Sequence, residues 1–228
     1  MEVERSLTGN EGEGSPETKQ DMETDKKWVV VRIDGKIAAI STDYRKLAEI
    51  TARIAREGQG KKAAKDRSVL QYEEITAGTV SFGHIWNLRE EVGWEDLMLF
   101  GTDFQKRVWR KLWELTHCST PQEKAVPSLI CYSDFAGLCE NKAGVRAVAH
   151  AIGLNPVSVL IPCHLVIPKE SIDKINEINR KAESTIFKGD DLCLNSILND
   201  NSIDFGEYAL GRKLKRELII KEFEQPCL

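Results

Sequence analysis

Two β-rich runs from Trp28 to Ser41, WVVVRIDGKIAAIS, flank the dipeptide Asp34-Gly35. An Asp-Gly link between such runs is a strong hairpin signal, so a short antiparallel sheet is expected to open the folded part. From Asp43 to about Arg56 the apolar residues Leu47, Ile50, Ile54 and Ala55 recur at helical spacing until Gly58-Gln59-Gly60-Lys61-Lys62 breaks the pattern. This predicts a helix packed on that sheet. Strand-like pieces around Val69-Leu70 and Thr79-Val80-Ser81-Phe82 follow, without clear boundaries up to residue 100.

Beyond Gly101 the periodicity sharpens. Phe104, Val108, Leu112 and Leu115 form one stripe of a helix capped by Thr102 or Asp103, and its other face carries Lys106, Arg107, Arg110 and Lys111. Residues 116–129, with Pro121 and Pro127, read as loop. Ser133 to Cys139 and Lys142 to Leu154 then form two short helical patterns joined at Glu140-Asn141, the layout of a helix-turn-helix. The second is slim: Ala143, Gly144, Ala147, Ala149 and Ala151 surround a single Arg146. Such a surface suits either close helix packing or approach to a nucleic-acid groove, and these residues admit both. After Asn155-Pro156 the apolar run Val157 to Ile161 reads as a strand ending at Pro162-Cys163-His164. The last helix, roughly Gly211 to Phe223, turns Leu214, Leu218 and Ile219 inward, with Glu222 one turn beyond Leu218.

Composition adds a size and a compartment. The 228 residues, 41% hydrophobic and 30% charged, suffice for one domain with an appendage or two small ones. No run approaches the ~18 apolar residues of a membrane span, and no basic flank precedes an apolar stretch at the N-terminus. None of the six cysteines forms a C-x-x-C pair, so reduced thiols in a soluble intracellular protein are expected. Charge is uneven. Residues 1–25 hold eight acids against Arg5 and Lys19, a disordered acidic tail of net −6, so with −4 overall the other 203 residues stand at +2.

Cys163 is the candidate nucleophile. At the end of an apolar run it would sit at the mouth of a core, with His164 near enough to raise its thiolate fraction directly or through a water. A buried structural thiol beside a satisfied imidazole is the plain alternative. An inward Glu222 at a helix end needs a partner and would hold the imidazole in one tautomer; taken alone it is equally a solvated last-turn residue. His117-Cys118 has no partners at ligand spacing, so no metal is expected.

These motifs together resemble the O6-alkylguanine-DNA alkyltransferases, also called methylated-DNA–protein-cysteine methyltransferases. Asn155 to His164, NPVSVLIPCH, resembles the family's active-site signature, Phe104-Gln105 with Val108-Trp109 its F-Q-x-x-V-W helix, Cys131-Tyr132 its S-Y, and Arg146-Ala147-Val148 its R-A-V. Gly206-Glu207-Tyr208 with Gly211 and the charged helix after it resembles the C-terminal G-x-Y segment, so the likeness covers about residues 101–224.

The resemblance implies an α+β fold: an N-terminal α/β lobe at 26–100 behind the tail, then a mostly helical DNA-binding domain at 101–228. It implies a monomer without cofactor whose partner is double-stranded DNA containing O6-alkylguanine, in bacterial cytoplasm or a eukaryotic nucleus. Carried over, Cys163 accepts the alkyl group, activated through a water by His164, which Glu222 orients. Arg146 fills the place of the flipped base, Tyr132 crowds the 3′ phosphate and bonds guanine N3, and Asn155 links recognition helix to active-site turn. The carbonyls of Cys163 and Val166 read the guanine amino group, and Lys106, Arg107, Arg110, Lys111, Lys142 and Arg146 meet phosphates. Departures are Leu165 where the family has Arg, which implies loss of a brace on the turn, and Ala209 where some members place a Ser that binds O6, a task left to a backbone N–H. The connection from Val166 to Gly206 is also long, and is expected as a loop carrying Lys169, Lys174, Arg180, Lys181 and Lys188. The competing readings are a DNA-binding protein on this scaffold that does not transfer, and a cysteine hydrolase built on Cys163 and His164.

Overall fold

The structure is a computed structural model that describes residues 26–60, 74–117, 128–184 and 200–224. The acidic tail, the piece at Val69-Leu70, Pro121 and Pro127, and Lys188 lie outside the described residues.

Strands β1 (Trp28–Ile33) and β2 (Lys36–Ser41) form the expected hairpin. Asp34 and Gly35 both take positive φ, 49° and 78°, the geometry that matches a two-residue turn to strand twist. Strand β3 (Ile75–Val80) pairs antiparallel with β1, giving the order β2-β1-β3. Helix α1 (Tyr44–Gly60) sets Leu47, Ile50 and Ile54 against Val31, Ile33 and Ala39 on one face of the sheet, while Trp28, Val30, Ile37 and Ile40 enter a larger core on the other. Both faces of the β1–β2 hairpin are covered, which is why those two strands read as continuous apolar runs, whereas β3 is largely exposed. β3 stops at Val80, earlier than Thr79 to Phe82 suggested. Ser81 instead caps α2 (Phe82–Glu91), its hydroxyl accepting the His84 N–H.

The second half is mostly helical. Thr102 and Gln105 form a capping box that starts α3 (Asp103–Trp113), whose Val108, Trp109, Leu112 and Trp113 are buried. The Trp109 indole donates to the Ala151 carbonyl at 2.8 Å, locking α3 to α5 (Val145–Gly153). Strand β4 (Ile130–Cys131) leads into α4 (Tyr132–Leu138), and a turn with Glu140 at φ 57° and a 3-10 turn at Lys142–Gly144 carry the chain to α5. The two helical patterns are therefore present, α4 starting one residue before the expected Ser133 and α5 three residues after the expected Lys142, where a 3-10 turn comes first.

The run Val157 to Ile161 is not a strand. It makes isolated bridges to Ile40 and within itself, Val159 stands at φ 76°, and every side chain in it is buried. Four apolar residues and Ser158, all enclosed, carry no helical or strand period, so the sequence could not separate a buried turn from a strand. A 3-10 turn at Cys163–Leu165 follows, then β5 (Val166–Ile167), parallel to β4. The expected loop after Val166 holds a 16-residue helix, α6 (Lys169–Ser184), which packs Ile172, Ile175 and Ile178 against Ile203, Phe205 and Ile219. Their three-residue spacing was the available signal. The last helix, α7 (Arg212–Glu224), buries Leu214, Lys215, Leu218, Ile219 and Glu222.

Replacing Trp109 with Phe leaves the buried Ala151 carbonyl without its donor. A loss of about 1–3 kcal/mol is expected, seen in urea unfolding as a lower midpoint at unchanged slope.

Candidate active site around Cys163

Asn155 follows α5 and is fully buried. Its carbonyl oxygen accepts the Val157 N–H at 3.0 Å, and its amide donates to the Ile161 carbonyl at 2.9 Å and to Cys163 Sγ at 3.1 Å. One side chain thus closes the 155–161 turn and aims the thiol. Cys163, 5% exposed, opens the 3-10 turn where Pro162 ends the apolar run. On its other side the Tyr208 hydroxyl lies 3.8 Å from Sγ. Burial, and then the neighbouring thiol, push that phenol well above its ordinary pKa, so it stays protonated.

His164 has no solvent exposure, and its Nε2 lies 2.8 Å from Glu222 Oε1. Burial pulls the imidazole pKa below its ordinary value against the opposing pull of Glu222. Burial pushes the Glu222 carboxyl up, but His164 and then Arg89 outweigh it and leave it below the usual carboxylate range. A carboxylate only accepts, so a neutral His164 carries its hydrogen on Nε2 and presents a lone pair at Nδ1. Among the described residues no protein group bonds Nδ1. This places an acceptor nitrogen next in sequence to the thiol.

Two cations that the sequence reading did not single out complete the surroundings. Arg89, from α2, pairs with the same Glu222 oxygen at 2.7 Å. Lys215, buried on α7, donates to the Val166 carbonyl at 2.8 Å and stands 5.8 Å from the Tyr132 ring centre; burial lowers its pKa to about 8 against the opposing influence of Cys163. Lys215 was legible, because it shares the inward face of Leu218, Ile219 and Glu222. Arg89 was not, being 133 residues from its partner.

The structure gathers Cys163, His164, Glu222, Asn155, Tyr132 and Val166. Burial raises the Tyr132 phenol, reinforced by Cys163 and Glu207. The Val166 carbonyl, expected to face the guanine, already takes one donor from Lys215 and keeps only its second lone pair. Leu165 is fully buried, and the guanidinium at the His164–Glu222 pair is that of Arg89. Arg146 is exposed on α5, with no hydrogen bond or ion pair among the described residues. Ala209 is exposed and lines an open cavity of about 500 Å³ with Tyr44, Arg45 and Leu210. Lys106 is half-buried and Lys142 exposed, while Arg110 and Lys111 both pair with Glu114 at the surface. Gly206 is needed as such: it has φ 81°, and a Cβ there would meet Pro168 at 2.9 Å. His117 is engaged with the Trp113 and Arg89 carbonyls. Among the described residues no cluster of three or more metal-binding side chains forms, and no helix is long and apolar enough to cross a membrane.

Comparison with known proteins bears on this arrangement. The family model for the DNA-binding domain of 6-O-methylguanine DNA methyltransferase matches residues 103–184. A probable methylated-DNA–protein-cysteine methyltransferase of Acanthamoeba polyphaga mimivirus is 40% identical over 76 residues, 33% of this chain and 45% of that protein. The inducible methylated-DNA–protein-cysteine methyltransferase of Bacillus subtilis is 44% identical over 69 residues, 30% of this chain and 34% of that protein. The chain thus spans less than half the length of these curated relatives. A longer match, to the Kluyveromyces lactis methyltransferase, is 25% identical over 147 residues, 62% of this chain and 73% of that protein. Residues 103–184, which contain Asn155, Cys163 and His164, are thus similar to the DNA-binding domain of the 6-O-methylguanine DNA methyltransferases.

Proposed function

We propose that this chain repairs DNA by accepting an alkyl group from O6 of guanine onto Cys163, once per molecule. The observation that carries the reading is the thiol aimed by Asn155 and followed directly by a buried imidazole whose Nε2 meets Glu222, within a segment matching that family. The proton of Cys163 passes to His164 Nδ1 through a water, and sulfur attacks the alkyl carbon in line. The S–C bond forms as the C–O6 bond breaks, and the electron pair leaves on guanine, which takes up a proton. A thioether is stable, and no group in the site is suited to remove it. The protein is therefore a reagent rather than a turning-over catalyst.

In this reading α4 and α5 act as the helix-turn-helix, and the small face of α5 approaches the minor groove. Exposed Arg146 enters the stack as the damaged base leaves, with Tyr132 at the 3′ phosphate and guanine N3. Lys106, Arg110 and Lys142 contact phosphates; the surface pairing of Arg110 with Glu114 is weak enough to yield. The Ala209 N–H serves O6, and the free lone pair of Val166 O and the Cys163 carbonyl serve the amino group. Residues 101–228 carry this chemistry, and residues 26–100 brace it.

Incubation with a duplex carrying one O6-methylguanine should add a single methyl to the Cys163 peptide, read by mass spectrometry, and none to Cys163→Ala. Lesion binding with Cys163 unmodified would instead favour the non-transferring binder. Arg146→Ala removes the group that offsets unstacking, worth a few kcal/mol. Single-turnover transfer should slow by roughly 10–100-fold, with folding unchanged by circular dichroism. Affinity of the wild type for duplex should fall steeply with added salt in a filter-binding assay.

A further inference from the structure

Glu222 Oε1 has two donors, His164 Nε2 at 2.8 Å and Arg89 Nη1 at 2.7 Å. The Arg89 side chain is 11% exposed and that of Glu222 4%, so the pair is shielded from water. Arg89 is held at both ends. Its guanidinium lies over the Trp86 ring at 4.5 Å, and its carbonyl faces His117 Nε2 at 3.2 Å, while the His117 ring stacks on Trp113 at 3.6 Å. It comes from α2, before residue 101, where no site residue was expected.

We propose that Arg89 is a positioning residue for the transfer at Cys163: it fixes Glu222 and keeps His164 a neutral proton acceptor. The proposal rests on the alkyl-transfer reading and deepens it. Its physical basis is charge balance in a buried site. With Arg89 present, the cluster of guanidinium, carboxylate and neutral imidazole carries no net charge, and protonating His164 would leave an uncompensated positive charge. Without Arg89, the neutral combination becomes imidazolium and carboxylate, so His164 holds a proton that it should be taking from the thiol. Lys215, the other cation facing His164, disfavours imidazolium in the same direction, and Glu222 opposes both. Cys163 adjoins, and His117 touches Arg89 from the far side. Leu165 has no charge with which to share this work.

The test is single-turnover transfer as a function of pH for the wild type, Arg89→Gln and Arg89→Lys, with histidine titrations by NMR on the full chain, whose four histidines are few enough to assign. Wild-type His164 should be the neutral Nε2–H tautomer at pH 7. In Arg89→Gln, its titration and the acid limb of the rate profile should move up together by about one unit, the scale of a lost charge at this distance. Arg89→Lys should restore most of both. Coincident wild-type and Arg89→Gln titrations would overturn the proposal, as would a wild-type His164 that is imidazolium at pH 7, a result that needs no variant. If the wild type moves no methyl at all, the alkyl-transfer reading fails by itself, and the NMR titration still decides what Arg89 does to His164.

Discussion

An ionised carboxylate out of water is unfavourable by several kcal/mol unless partners replace its hydration. Glu222 meets that condition with one oxygen shared between His164 and Arg89. The three residues belong to α7, the reactive turn and α2, so satisfying one buried charge fixes three separate stretches of chain. The same oxygen sets the imidazole tautomer, because Nε2 must donate to it and the acceptor lone pair is then Nδ1. Structure and chemistry meet at a single atom, and removing either donor would disturb both.

A second constraint acts on the backbone. The 155–161 turn holds Val159 at φ 76°, a conformation unfavourable for a β-branched residue by about 1–3 kcal/mol. Asn155 offsets this with hydrogen bonds at both ends of the turn, and its remaining donor points at the thiol. Strain is located beside Cys163, and the buried apolar side chains of the same turn anchor it in the main core. Gly206 meets a comparable demand on the opposite wall, where its positive φ and the closeness of Pro168 let the 206–211 segment bring Tyr208 to the sulfur.

How much of this the sequence showed follows from the range of each interaction. The hairpin at Asp34-Gly35, α1, and α3 with its Thr102 cap depend on neighbours a few residues apart, and they stand where the pattern put them, except that α1 runs on through Gly60, past the expected break at Gly58. Cys163, His164 and Glu222 could be picked out because a Cys-His pair closing an apolar run and an inward acid leave a mark in the sequence, whereas Asn155 was singled out only through the family resemblance. The turn at 157–161 was hidden, since complete burial erases period. Helix α6 was passed over because its three isoleucines sit in a polar sequence inside a connection read as loop. Arg89 left no trace, because its role depends on a partner that only the tertiary fold supplies. Leu165 suggested a lost brace on the active-site turn; the structure buries Leu165 and brings the Arg89 guanidinium to Glu222 from another element.

The central claim is that Cys163 is a one-time acceptor served by this network. The most direct measurement is the number of methyl groups moved per chain from a duplex labelled with tritium in the O6-methyl group, followed to completion at rising duplex excess. The account predicts a plateau at one methyl per chain, independent of excess. Transfer that continues beyond one, or a duplex that retains its label while bound, would contradict it.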